Sequence, residues 1–137
     1  MRVRGQVTVE YVVVFAILML VFVVAFHSVS VERKHASQML WSVDARENTW
    51  DLAESINAAV IGGPGTNMTI TMPGKLVGGV NYTITVYPRM VALDIPSYNR
   101  EFTWRILTSN INGSDAALTL HKGEVTIMNK DDVIYLS

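Results

Sequence analysis

Apolar and polar residues follow three successive patterns along this chain of 137 residues. Sixteen apolar residues run unbroken from Tyr11 to Phe26. As a helix they span roughly 24 Å, and Val7, Val9, Val29 and Val31 extend them toward the ~30 Å of a bilayer's hydrocarbon layer. Valine favours strands in water, but a lone segment in lipid must satisfy its own backbone, so a helix is expected. Beyond Phe26 the spacing stays helical. Ala36, Leu40, Val43, Trp50, Ala53 and Val60 form one apolar stripe, widened by Met39 and Ile56. Asp44, Glu47 and Asp51 fall on another face, expected to be solvated or to meet a neighbouring subunit. A coiled-coil dimer is a rival use of the stripe, but its spacing is too short and irregular for one. No Pro or Gly occurs from Gln6 to Ile61, which predicts one helix over 6–61 with its hydrophobic core at 11–26. Gly62-Gly63-Pro64-Gly65 then stops it, giving a Gly/Pro linker over 62–66.

From Asn67 the period becomes two. Met68, Ile70 and Met72 alternate with Asn67, Thr69 and Thr71, and Tyr82, Ile84 and Val86 with Asn81, Thr83 and Thr85. Val91, Leu93 and Ile95 form a third set and Phe102, Trp104 and Ile106 a fourth. Shorter strands are expected at 118–120, 125–128 and 133–136. Turn signals separate them, among them Pro73-Gly74, Gly78-Gly79, Pro88-Arg89, Asn112-Gly113 and Lys122-Gly123. Alternation with short connections predicts an antiparallel sheet over 67–137 with one wet face, flat or curled into a sandwich. Its buried face is expected to pack on the helical stripe. The fold class is therefore α+β: a long N-terminal helix, membrane-spanning then amphipathic, followed by a small antiparallel β domain.

Composition narrows the function. A net charge of −1 suggests neither a nucleic-acid-binding face nor an acidic tail. Without cysteine there is no disulfide framework and no thiolate metal site. His27, His35 and His121 share no metal-ligand spacing, and Asp131-Asp132 reads as a turn pair with no third carboxylate nearby. The glycines at 62–65 lack the following Lys-Ser/Thr of a phosphate cradle, and no nucleophile motif appears. No catalytic residue, metal or cofactor is expected, and the chain reads as a non-enzyme.

The remaining chemistry lies at the N-terminus. Glu10 stands at the mouth of the apolar run, where a carboxylate normally answers to a neutralising partner. Arg2, Arg4 and Gly5 precede it. As a secretory signal, the segment would have Ser28-Val29-Ser30 as a weak cleavage site, with Gln6 to Glu10 as a polar intrusion before the apolar region. As a permanent anchor, Glu10 would be incidental near the interface. Arg2 and Arg4 are matched by Arg33 and Lys34 on the far side, so flanking charge does not orient the span.

Gly5-Gln6-Val7-Thr8-Val9-Glu10-Tyr11, followed by the apolar run, resembles the class III signal peptide of archaeal type IV pilin-like proteins. The family pattern is Gln-x-Ser-x-Glu-Tyr; Thr8 replaces the usual serine and keeps its hydroxyl. The resemblance covers residues 4–26. It implies that a membrane-embedded prepilin peptidase cuts between Gly5 and Gln6, so that residues 1–5 leave as a leader and the apolar helix is retained. It also implies assembly with identical or related subunits into a surface filament. The new α-amino group of Gln6 would lie four residues before Glu10. In a packed filament core, the amine of one subunit and the carboxylate of a neighbour can neutralise each other and favour one register. Major adhesion pilin, minor pilin and pseudopilin share this leader and are not separated by it.

Three Asn-x-Ser/Thr sequons begin at Asn67, Asn81 and Asn112, where roughly one would be expected by chance among eight asparagines. Threonine's abundance in strands is the plain explanation. If N-linked glycans occupy them, the β domain faces the cell exterior. The rival function is an unprocessed, membrane-anchored extracellular binding domain, with Tyr87 and Tyr98 as candidate contact residues.

Overall fold

The computed structural model describes residues 3–112 and 117–137, without the side chains of residues 3–8, Val31 and Lys34. Its first element is a single helix, α1, over Val3–Gly62. The helix ends where glycine permits a left-handed turn. Gly63 has φ 75°, and its N–H donates to Val60 O at 3.2 Å. Gly62 is needed for a different reason: a Cβ there would stand 2.5 Å from Thr66 Oγ1.

The chain divides into two compact units after Gln38. The first is helix alone. It is long and apolar enough to cross a membrane. Its large apolar side chains from Val9 to Phe26 are all exposed, Tyr11 at 77% and Phe22 at 68%. The two serines that follow keep their hydroxyls inside the helix, Ser28 Oγ donating to Val24 O at 3.1 Å and Ser30 Oγ to Phe26 O at 2.9 Å.

The second unit joins the C-terminal part of α1 to seven strands, all antiparallel: β1 (Asn67–Met72), β2 (Thr83–Tyr87), β3 (Met90–Ile95), β4 (Arg100–Arg105), β5 (Leu118–Leu120), β6 (Gly123–Lys130) and β7 (Val133–Leu136). The fold is α+β, as expected, and each anticipated strand is present. The strands form two sheets, one ordered β1-β6-β7 and the other β4-β3-β2-β5. Neither sheet closes on itself. The hairpins use the turn chemistry their residues allow. Asp131 and Asp132, both at positive φ (54° and 63°), link the paired residues Lys130 and Val133 as a type I′ turn does. Pro88 followed by Arg89 at φ 66° links Tyr87 to Met90, the arrangement of a type II turn.

The helical stripe also needs correction. The residues of α1 that enter the core are Trp41, Ala45, Thr49, Leu52, Ala53, Ile56 and Ala59. Of the predicted stripe, only Ala53 and Ile56 are buried and Val60 is half-buried; Met39, Leu40, Val43 and Trp50 are exposed. The physical reason is that apolar residues occupy more than one face of α1, and the strands cover the face that carries Trp41, Leu52 and Ile56 together with the three alanines. Against it lie Ile84 and Val86 of β2, Val91, Leu93 and Ile95 of β3, Val125 and Ile127 of β6, and Ile134 and Leu136 of β7.

Candidate functional site

The N-terminal segment singled out by sequence lies in the first turns of α1. The side chain of Gln6 falls outside those described, as does any contact at Gly5. Glu10 is exposed, one helical position before Tyr11, Val12 and Val13, which are exposed as well. Four residues of helix separate positions 6 and 10, roughly 6 Å along the axis, so the two lie on one face of α1. This arrangement can present one acidic group within an otherwise apolar cylinder. Among the described residues, no three His, Cys, Asp or Glu side chains converge on a metal position. His27, His35 and His121 are all exposed.

The second unit contains polar ties that sequence reasoning missed. Asp44, expected to be solvated or at a subunit contact, is half-buried instead. Its Oδ2 accepts the backbone N–H of Val77 at 2.7 Å and its Oδ1 accepts Asn48 Nδ2 at 2.9 Å. Asn57 Oδ1 accepts the N–H of Leu107 at 2.8 Å. Asn129 is buried and donates through Nδ2 to Ala59 O at 2.9 Å, satisfying one of the last carbonyls of α1. Polar residues interrupting the helical pattern at Asp44, Asn48 and Asn57 were the available signal, but only the tertiary contact gives Asp44 and Asn57 their partners in the β domain. Trp41 stacks on Tyr98, with ring centroids 4.6 Å apart and planes at 27°. Tyr98, one of the two candidate contact aromatics, therefore uses one ring face in packing, while Tyr87 is exposed on β2.

The sequons fall in unlike settings. Asn67 and Thr69 are both exposed at the start of β1, with Met68 half-buried between them. Asn81 and Thr83 are exposed on either side of Tyr82, which is 2% exposed. Tyr82 anchors that segment: its hydroxyl donates to Pro73 O, and Lys122 Nζ lies 4.6 Å from its ring centroid. Burial, and secondarily the carboxylate of Asp44, push the phenol up to about 12. Asn112 differs. It sits at φ 50°, and its side chain brackets the backbone of Leu136, Oδ1 accepting the N–H at 2.7 Å and Nδ2 donating to the carbonyl at 3.4 Å. Gly113 and Ser114, which complete its sequon, lie outside the described residues.

The described residues thus combine a helix with exposed apolar side chains, a β domain packed on its C-terminal part, and exposed asparagines at 67 and 81 on that domain. No protein-family model matches this chain, nor does any curated protein or solved structure.

Proposed function

We propose that this chain is the subunit of an archaeal type IV pilus-like surface filament serving adhesion. It is made as a membrane precursor with its β domain outside the cell, cut by a prepilin peptidase between Gly5 and Gln6, and assembled through α1. The observation that carries this reading is the apolar surface of α1. Every large apolar side chain from Val9 to Phe26 is uncovered, and Met39, Leu40, Val43 and Trp50 continue as exposed apolar residues on the part of the helix that bears the β domain. A bilayer covers the first set in the precursor. Neighbouring helices would cover both in a polymer, because lipid reaches only about 30 Å along the axis.

The single charge at Glu10 supports the same reading, since the α-amino group released at Gln6 supplies a cation for a neighbour's carboxylate. N-linked glycans at Asn67 and Asn81 fit an exterior β domain. Asn112, whose amide is engaged with Leu136, serves packing in this account. The chain acts as a structural protein without catalytic chemistry. Shearing intact cells and sedimenting the released material tests the proposal. Recovery of the chain as a sedimenting polymer supports it. Recovery only as a detergent-soluble monomer from membranes contradicts it and favours a monomeric anchored binding domain.

A further inference from the structure

Each sheet has an end strand beside α1 whose outer edge pairs with no strand among the described residues. β1 ends the three-stranded sheet and β4 the four-stranded one. Next to β1, a groove of about 520 Å³ lies between its Met68, Ile70 and Met72 and the helix residues Asp51, Glu54 and Ser55. Next to β4, a hollow of about 330 Å³ is bounded by Val43, Arg46, Glu47, Trp50 and Trp104. With about 100° between successive helical residues, positions 51 and 55 fall on one flank of the buried face, and positions 46 and 50 on the other.

The two edges are incomplete in complementary ways. On β1, Met68 and Ile70 remain half-buried although their register partners Ile127 and Val125 are fully covered. A further strand laid along β1 would drop alternate side chains into the groove beside them. The groove's lining is mixed, with Ala58, Met68, Ile70 and Met72 set among Asn48, Ser55 and the carboxylates of Asp51 and Glu54, and among the described residues no basic side chain lines it. The strand that fits must therefore bring apolar residues accompanied by cations. β4 has that composition. Phe102 and Trp104 share a side with Arg100, opposite the buried Leu93, Val91 and Ile95, yet Trp104 keeps 40% of its surface exposed. Arg105 ends the strand and Arg46 stands beside Trp104 on the helix. Glu47 and Glu101 oppose this attraction, but three arginines outnumber them on the β4 flank.

We propose that β4 of one copy pairs edge to edge with β1 of the next, joining the β domains of neighbouring subunits into a continuous strand ladder. This rests on the filament reading and names the contact made outside the helical core. Main-chain hydrogen bonds supply the affinity of such strand addition, and the Arg100, Arg105 and Arg46 set against Asp51 and Glu54 supplies its polarity. The contact uses two different surfaces, so it does not close within a pair and repeats from copy to copy. All copies can then keep their helices pointing the same way. Two open edges that would otherwise invite unspecific pairing are consumed by the same contact.

The native chain has no cysteine, which makes disulfide trapping clean. Thr69 and Thr103 are exposed on the outward sides of β1 and β4, and neighbouring outward positions in a ladder lie within disulfide reach. The full-length Thr69→Cys/Thr103→Cys chain is expressed in cells, oxidised mildly, and run on a denaturing gel without reductant. Thr71→Cys/Thr103→Cys and Asn67→Cys/Thr103→Cys cover the adjacent registers. One register is expected to give a reducible ladder of multimers, with none from either single-cysteine chain. Asp51→Arg/Glu54→Arg is expected to weaken the ladder about tenfold, and Arg46→Glu/Arg100→Glu added to it to restore the ladder. Reducible dimers from Thr69→Cys alone would overturn the proposal, because β1 would then meet β1. So would the absence of a ladder at every register in sheared filaments that contain the variant. If the wild-type chain forms no filament at all, the filament reading fails first and edge pairing falls with it.

Discussion

Asp44 and Val77, 33 residues apart, are joined by a 2.7 Å hydrogen bond in which the Val77 N–H donates to Asp44 Oδ2. The bond fixes the turn between β1 and β2 to the flank of α1, and Asn48 fills the other carboxylate oxygen. Removing the carboxylate leaves both donors to find other partners. Asp44→Ala is predicted to lower stability by about 1.5–3 kcal/mol, the range for a hydrogen bond to a charged acceptor. Denaturant unfolding of the full chain in detergent, followed by tryptophan fluorescence, measures it. Glu47→Ala, at an exposed position three residues on, should change stability by less than about 0.5 kcal/mol.

Tyr82 gives the fold an alkaline limit. Its folded-state pKa is raised to about 12 from the 10.0 of an exposed phenol, by burial first and by Asp44 second. The folded state therefore holds its proton where the unfolded chain loses it. The contribution is fully present below pH 10 and is lost as pH rises from 10 toward 12, at about 1.4 kcal/mol per pH unit. Tyr82→Phe should be less stable than wild type at pH 7, since Pro73 O loses its donor. It should also show a shallower decline between pH 10 and 12. Unfolding midpoints of the two proteins across that range provide the comparison.

The two faces of α1 should respond differently to truncation. Leu52→Ala deletes a fully buried side chain between the helix and the sheets, and a loss of about 2–5 kcal/mol is expected. Leu40→Ala, at a position 59% exposed, should leave folding stability within about 0.5 kcal/mol of wild type and instead reduce filament yield. A Leu40→Ala chain that unfolds as readily as Leu52→Ala would mean the covered face of the helix has been misassigned.

These faces also show where sequence was and was not informative. The unbroken apolar run, the Gly62–Gly65 stop and the alternating strands are local signals, and each element they predict is present. β2–β3, β3–β4 and β6–β7 are hairpins whose turns, such as Pro88-Arg89, stand in the sequence. The pairings β1–β6 and β2–β5 cross long stretches of chain, and no local pattern encodes them, so the strand order of the two sheets was not legible. The helix misled for a related reason. Apolar residues occupy more than one of its faces, and period alone cannot choose the face with Trp41, Ala45 and Leu52 over the one with Leu40 and Val43. The strands that pack on the helix decide that, through contacts distant in sequence. Asp44 was legible as polar but not as a tie, because Val77 reaches it only in the folded unit. The proposed processing motif at Gly5, Gln6 and Glu10 rests wholly on sequence, since its chemistry would depend on order along the chain.

Under the proposed function, a change at Glu10 separates maturation from assembly. Glu10→Ala removes the one acidic group exposed at the head of the apolar run while leaving Gly5 and Gln6 in place. The proposed account predicts a chain that is still shortened but yields several-fold fewer sheared filaments than wild type, because the amine at Gln6 loses its counter-charge. Immunoblotting of membrane and sheared fractions distinguishes the two steps. Undiminished filament yield from this variant would remove the pairing of Gln6 with Glu10 from the account.

Mass spectrometry of the native N-terminus of the surface-located protein tests the central claim most directly. The account predicts a chain that begins at Gln6, with Met1 to Gly5 removed and the apolar helix from Tyr11 to Phe26 retained. A surface-located chain that begins at Met1 would contradict it.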